Sequence, residues 1–229
     1  MRLSNLQVLG GVLEDLFAKP GPPDLEAALK MAIDFRRLQG SHVVLANLQR
    51  QMLFNSRAGS QKSLPRVPVP EGRDPLATAQ ATAKPSVGDL VFGPLAGELV
   101  TGLAVPLGGP GSMGLTLLSP LPAREIQNHL NDFQMPSGWS VAVLDSTRRA
   151  IAQSGPSTAW SDPAVLSRND VRQARSAVTA WTIELHAPEP WPGSNLTRDA
   201  LMLLFLLGGS AGAAFVGGRL ARARVHAVL

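Results

Sequence analysis

Residues 40–56, GSHVVLANLQRQMLFNS, align without a gap on residues 138–154, GWSVAVLDSTRRAIAQS. Asn47 falls on Asp145 and Arg50 on Arg148. In each copy an apolar run ends at an Asx residue, a short polar stretch follows, and a second run begins. An Asx side chain in that place bonds backbone amides of the next residues and starts a turn. Two short apolar runs around a tight turn predict a β-hairpin. Residues 42–48 are therefore expected to pair with 51–56, and 140–145 with 149–153. Two copies of one unit imply duplication. A weaker echo sets Ala104-Val105-Pro106 against His186-Ala187-Pro188. The second unit is the shorter, with only residues 155–179 between its hairpin and a last strand at 180–188.

The remaining segments fill in an α+β pattern with antiparallel sheets and flanking helices. Leu3, Leu6, Leu9, Leu13 and Leu16 recur at helical spacing. Asp24, just past Pro22 and Pro23, is placed to cap a helix running to about Leu38, with Gly40 ending it. Residues 58–85 are rich in Pro, Gly, Ser and Thr and read as a long loop with one helical turn after Asp74-Pro75. A loop of that length inside a compact domain is often functional. Strands are expected at 99–107 and 113–119, joined by the glycine-rich turn 108–111. A helix is expected at 123–133 behind Pro122.

Residues 200–218, ALMLLFLLGGSAGAAFVGG, carry no charge. At 1.5 Å per residue they span roughly 28 Å, close to the hydrocarbon core of a bilayer. Arg198 and Asp199 cancel before the run, whereas Arg219, Arg222 and Arg224 follow it. Positive flanks stay cytoplasmic, which puts residues 1–199 outside the inner membrane. Gly208, Gly212 and Gly217 give the span a small-residue face for helix association and a homodimer. Residues 1–17 contain Glu14 and Asp15 and are too polar for a signal peptide. The expectation is therefore a first span upstream of Met1. The division expected is N-terminal helices at 1–39, a membrane-distal unit at 40–135, a membrane-proximal unit at 136–190, a transmembrane helix at 199–219 and a basic tail at 220–229.

Composition narrows the function. The net charge of +4 comes from seventeen Arg and four Lys scattered singly or in pairs, against 5% aromatic residues and no Tyr. That is neither a groove-binding stripe nor a base-stacking platform, so nucleic acid is not an expected partner. The absence of Cys excludes disulfides, thiolate nucleophiles and Cys-based zinc sites. Gly208-Gly209-Ser210-Ala211-Gly212 fits a nucleophile elbow but lies inside the apolar span. Gly109 to Gly114 fits a dinucleotide fingerprint but precedes a strand where a helix is needed. His42, His129, His186 and His226 share no ligand spacing. No catalytic set, metal site or cofactor is expected.

The motif order is what resembles a known family. Asn55-Ser56-Arg57 follows the first hairpin. Asp89 and Gly93-Pro94 precede the third strand, and Val105-Pro106 ends it. Gly138-Trp139 with Asp145, and Ala180-Trp181 through Pro188, complete the series. In that order they resemble the double Cache (PDC) sensor regions of bacterial histidine kinases and related membrane receptors. The resemblance implies a PAS-like extracytoplasmic sensor with a partial second Cache unit, which binds a small ligand and signals through the membrane helix. In Cache domains the segment holding Arg57, Arg66, Arg73 and Asp74, with Asp89 beside it, covers the sheet. Arg57, Arg66, Arg73 and Asp89 are the expected ligand-binding residues. Arginine offers a planar fork for carboxylates, so a small carboxylate-bearing ligand is the partner expected. The amino-acid-binding Cache signature relies on Tyr and Trp, which this loop lacks. The alternative is a membrane-anchored PAS-like adaptor that makes protein contacts without sensing a small molecule.

Overall fold

A computed structural model describes residues 2–59, 63–109, 111–112, 114–155 and 170–187. Two helices come first, α1 (Arg2–Phe17) and α2 (Leu25–Gln39). Asp24 caps α2 by accepting from the Ala27 amide at 2.9 Å, and Gly40 closes it in the left-handed region with φ 68°. The buried stripe of α1 is Leu6, Leu9, Leu13 and Phe17.

The first sheet follows. Its strands are β1 (Val44–Ala46), β2 (Met52–Asn55), β3 (Ser86–Val87), β4 (Val91–Gly93), β5 (Glu98–Pro106) and β6 (Thr116–Pro122). All pairs are antiparallel, in the order β2-β1-β6-β5-β3, with β4 also on β5. Both faces of this sheet are covered, so its inner strands read as continuous apolar runs rather than alternating ones. Val43, Leu45, Leu103, Val105 and Leu117 pack toward α1 and α2. Val44, Ala46, Ala104 and Leu118 pack toward the other side, against Leu64, Leu76 and Ala79. Leu76 and Ala79 belong to α3 (Pro75–Thr82), capped by Asp74. The single turn expected after Asp74-Pro75 is thus a complete short helix. Pro120 and Pro122 sit where β6 has run past β1, so their missing N–H groups break no ladder bond.

Helix α4 (Ala123–Asn131) leads into the second sheet, built from β7 (Ser140–Leu144), β8 (Ala150–Ser154), β9 (Asp170–Arg175) and β10 (Thr182–Ala187). The order is β8-β7-β10-β9, again antiparallel throughout. Leu130, Val141, Val143, Ile151 and Leu185 share the core beneath α4. Gln127 covers the β8 edge: its amide donates to the Gln153 carbonyl at 2.7 Å and accepts from the Gln153 amide at 2.9 Å.

The duplicated hairpin is present in atomic detail. Asn47 and Arg50 exchange the same backbone bonds as Asp145 and Arg148, and the register slips at the same place in both strand pairs. Arg50 and Arg148 both take positive φ, 65° and 67°. The 104–106 with 186–188 echo has no such counterpart. In the second sheet β10 lies beside the hairpin, the place that β6 fills in the first, whereas Ala104 to Pro106 belong to β5. Residues 155–179, read as a plain connection, contribute β9, so the second sheet has four strands among the described residues. The expected transmembrane helix at 199–219, its glycine face and the basic tail lie outside the described residues. Among the described residues no helix is long and apolar enough to cross a membrane.

Candidate functional site

Between the first sheet and the proline-rich loop lies a cavity of about 80 Å³. Val44, Met52, Val100 and Leu118 form its floor, and Val67, Pro68, Pro70 and Pro75 its roof. The β4–β5 turn, Gly93 to Ala96, closes one side. Asn55 and Asp89 are the residues with polar side chains in the lining among the described residues. A side chamber of about 30 Å³ shares Asn55, Leu95, Ala96, Val100 and Pro120 with it and adds His42, Arg57 and Pro122.

The roof is held by Arg50, on the first hairpin turn. Its guanidinium donates to the carbonyls of Val67 at 3.0 Å and Pro68 at 2.7 Å, and to Asp74 at 2.5 Å. The Asp74 carboxylate at the same time caps α3. One side chain thus ties hairpin, loop and helix together, and charge-assisted bonds of this kind are the stronger class.

Asp89 is 1% exposed and faces two ways. It lines the cavity, yet its carboxylate accepts from the Arg73 amide at 2.6 Å, from the Ser146 amide at 3.1 Å and from the Ser146 hydroxyl. Ser146 belongs to the turn of the second hairpin. Beside it Asp145 accepts from the Leu90 amide at 3.4 Å, and Trp181 Nε1 donates to the Gly88 carbonyl at 3.3 Å. A Cβ at Gly72 would lie 2.1 Å from Asp89 Oδ2, so only glycine lets the loop pass here. The cavity wall and the second sheet therefore meet through Asp89.

In the side chamber Arg57 donates to His42 Nε2, at 3.1 Å from Nη2 and 3.3 Å from Nε, and to the carbonyls of Leu95 and Ala96, both at 3.2 Å. A guanidinium only donates, so His42 Nε2 is an acceptor and its ring is neutral.

No family model and no curated protein sequence matches the chain. Solved structures do. The ligand-binding domain of the Campylobacter jejuni chemoreceptor Tlp3 in complex with 4-methylisoleucine superposes with a TM-score of 0.57 at 14% identity, covering 84% of this chain and 86% of that one. The ligand-binding domain of the Pseudomonas aeruginosa PAO1 amino acid chemoreceptor PctB with L-Arg gives 0.54 at 12%, covering 82% and 86%. The ligand-binding domain of Mlp24 with asparagine gives 0.53 at 10%, covering 79% and 80%. The chain has a Cache-like fold.

Within this Cache fold the four expected ligand residues do not converge. Asp89 lines the main cavity, and Arg57 lines the side chamber only. Arg66 is exposed on the outside of the loop, where its backbone bridges Gln51. Arg73 meets Asp89 through its backbone amide, and its side chain reaches toward Ser86 Oγ at 3.5 Å. Sequence reasoning missed Arg50 and Asn55 as site residues. The signal for Arg50 was its repeat partner Arg148, which forms an ion pair with Glu184 across the second sheet.

His42 makes a testable contribution. Burial, then the charges of Arg57 and Arg36, push its pKa from 6.5 down to about 4, with Glu125 opposing. The unfolded ring takes up a proton near 6.5 and the folded ring only near 4. Stability is thus full above pH 6.5 and is lost as the pH falls toward 4. The expected loss is on the order of 1–3 kcal/mol, allowing for solvent screening of a half-buried ring. Thermal melts between pH 7 and pH 4 should show it. His42→Gln should flatten that part of the profile, and an unchanged slope in the variant would assign the effect elsewhere.

Proposed function

We propose that the chain is the extracytoplasmic sensing region of a membrane receptor. A small molecule enters the cavity of the first sheet, and its binding is passed to the second sheet and on to the segment that follows. The observation that carries this reading is Asp89, which lines the cavity and holds the second hairpin turn through Ser146. A ligand that presses on Val91 or Pro75 next to it biases the same junction. A conformational response needs a ligand that prefers one state of that junction.

The ligands named for Tlp3, PctB and Mlp24 are amino acids or a close derivative. A small carboxylate-bearing ligand is the corresponding proposal here. The proposed division is a distal unit at 40–135 and a proximal unit at 136–190, and the presence of two separate sheets supports it. The apolar run at 199–219, with the basic tail inside, is the proposed route through the inner membrane, in a homodimer and with a histidine-kinase type of output. The chain itself is proposed to be non-catalytic.

A thermal-shift screen of the full chain in detergent against small carboxylates, amines and sugars tests the reading. A ligand at a hundred times its Kd adds about 2.7 kcal/mol. At 2–4 °C per kcal/mol that raises the Tm by roughly 5–10 °C. If no member of the three classes moved the Tm by more than about 1 °C, the adaptor reading would replace the sensor.

A further inference from the structure

The two chambers divide the chemistry of a ligand between them, and this division rests on the sensing reading above. We infer that the ligand is a compact apolar monocarboxylate without an ammonium group, its hydrocarbon part in the main chamber and its carboxylate in the side chamber at Asn55, His42 and Arg57.

One buried donor and one donor on a wall residue support the carboxylate end. Asn55 is 5% exposed, and its Oδ1 accepts from the Arg57 amide at 2.8 Å. That bond fixes the amide orientation and leaves Nδ2 as a donor with no partner among the described residues. His42 Nε2 accepts from Arg57, so the ring proton is on Nδ1, which is buried and without a partner among the described residues. An unpaired buried donor is costly, and His42 Nδ1 together with Asn55 Nδ2, both on residues that line one small chamber, offers donors to an acceptor oxygen pair. Arg57 and Arg36 both act on His42, against Glu125 alone, so the local field favours an anion.

The main chamber supports the other end. Its walls are mostly Val, Leu and Pro side chains, with no cation among the described lining residues. At ~10–15 Å³ of such space per water-sized group, 80 Å³ takes on the order of six heavy atoms. An α-ammonium would need an acceptor. The oxygens of Asp89 are already engaged by Arg73 and Ser146, and the carbonyls of Leu95 and Ala96 by Arg57. Desolvating an ammonium without a partner is unfavourable.

Isothermal titration of the full chain with isovalerate, L-valine and isovaleramide separates the possibilities, since all three share one carbon skeleton and differ only in the ammonium and the carboxylate. Isovalerate should bind at least tenfold more tightly than either of the others. Arg57→Gln and Asn55→Leu should each weaken it by five- to tenfold or more. Ala96→Phe, at the shared wall, should abolish binding in a protein whose melt shows it folded. Equal binding of L-valine would overturn the inference, as would isovalerate affinity unchanged in all three variants. If none of the three bound while amines or sugars stabilised the chain in the thermal-shift screen, the ligand class would be overturned and the sensing reading would stand. A panel in which nothing binds would remove both.

Discussion

Asp89→Ala is expected to lower the Tm by about 10 °C and to disconnect the second sheet from the cavity. The carboxylate is 1% exposed and accepts from the Arg73 amide, the Ser146 amide and the Ser146 hydroxyl. Alanine leaves three donors without a partner, at ~1–3 kcal/mol for each buried group. Such costs are not additive among neighbours, so the total is set at about 4 kcal/mol. For a domain of this size that is ~2–4 °C per kcal/mol. Asp89→Asn should cost less than alanine but more than half as much, because the amide keeps one acceptor oxygen and turns an NH2 toward a donor. Differential scanning calorimetry of both variants measures this. A fall of under 3 °C for the alanine variant would mean that the junction is held by Trp181 and Leu90 and that Asp89 is only a wall residue.

The same residue marks the boundary between what the sequence shows and what it hides. Asp89 stood out as a charge beside an arginine-bearing loop, which pointed to a ligand-binding residue. In the fold its partners are neutral amides and a hydroxyl from a turn 57 residues further on. Nothing local signals such a contact. The arginines fail to converge for a simpler reason: Arg57, Arg66 and Arg73 lie along one loop whose path cannot be read from composition.

Both hairpins were legible because apolar runs, an Asx residue and a tight turn are local signals. Helix α2 was legible through Asp24 and Gly40, and the helical stripe of α1 through its leucines. Strand β9, by contrast, reads DVRQAR, with three charged residues of six. Among the described residues it is an edge strand, paired only with β10. Charged side chains on an edge protect it from further pairing, and they also erase the apolar pattern by which a strand is recognised. The two short strands β3 and β4 are too brief for any periodicity.

The duplicated turn supplies the second large effect, and a control for it within the same molecule. Asn47 Oδ1 accepts from the amides of Gln49 at 3.1 Å and Gln51 at 2.9 Å. Asp145 Oδ1 repeats this with Thr147 and Arg149, both at 2.9 Å, and adds the Thr147 hydroxyl at 2.7 Å. Its Oδ2 then reaches the Leu90 amide at 3.4 Å, in the other sheet. Asn47→Ala should therefore cost about 1 kcal/mol, the usual net worth of a neutral side-chain bond or two. Asp145→Ala should cost about 3–4 kcal/mol, since a buried carboxylate serving four donors is removed. The melting temperatures should fall by about 3 °C and about 10 °C respectively. Asp145→Asn separates the two contributions. Its amide oxygen keeps the local turn bonds, and its NH2 meets the Leu90 amide as donor against donor, so an intermediate loss is expected. If Asp145→Ala cost no more than Asn47→Ala, the turn would be purely local in both units. The bond to Leu90 would then carry no coupling between the sheets, and the junction would rest on Asp89, Ser146 and Trp181.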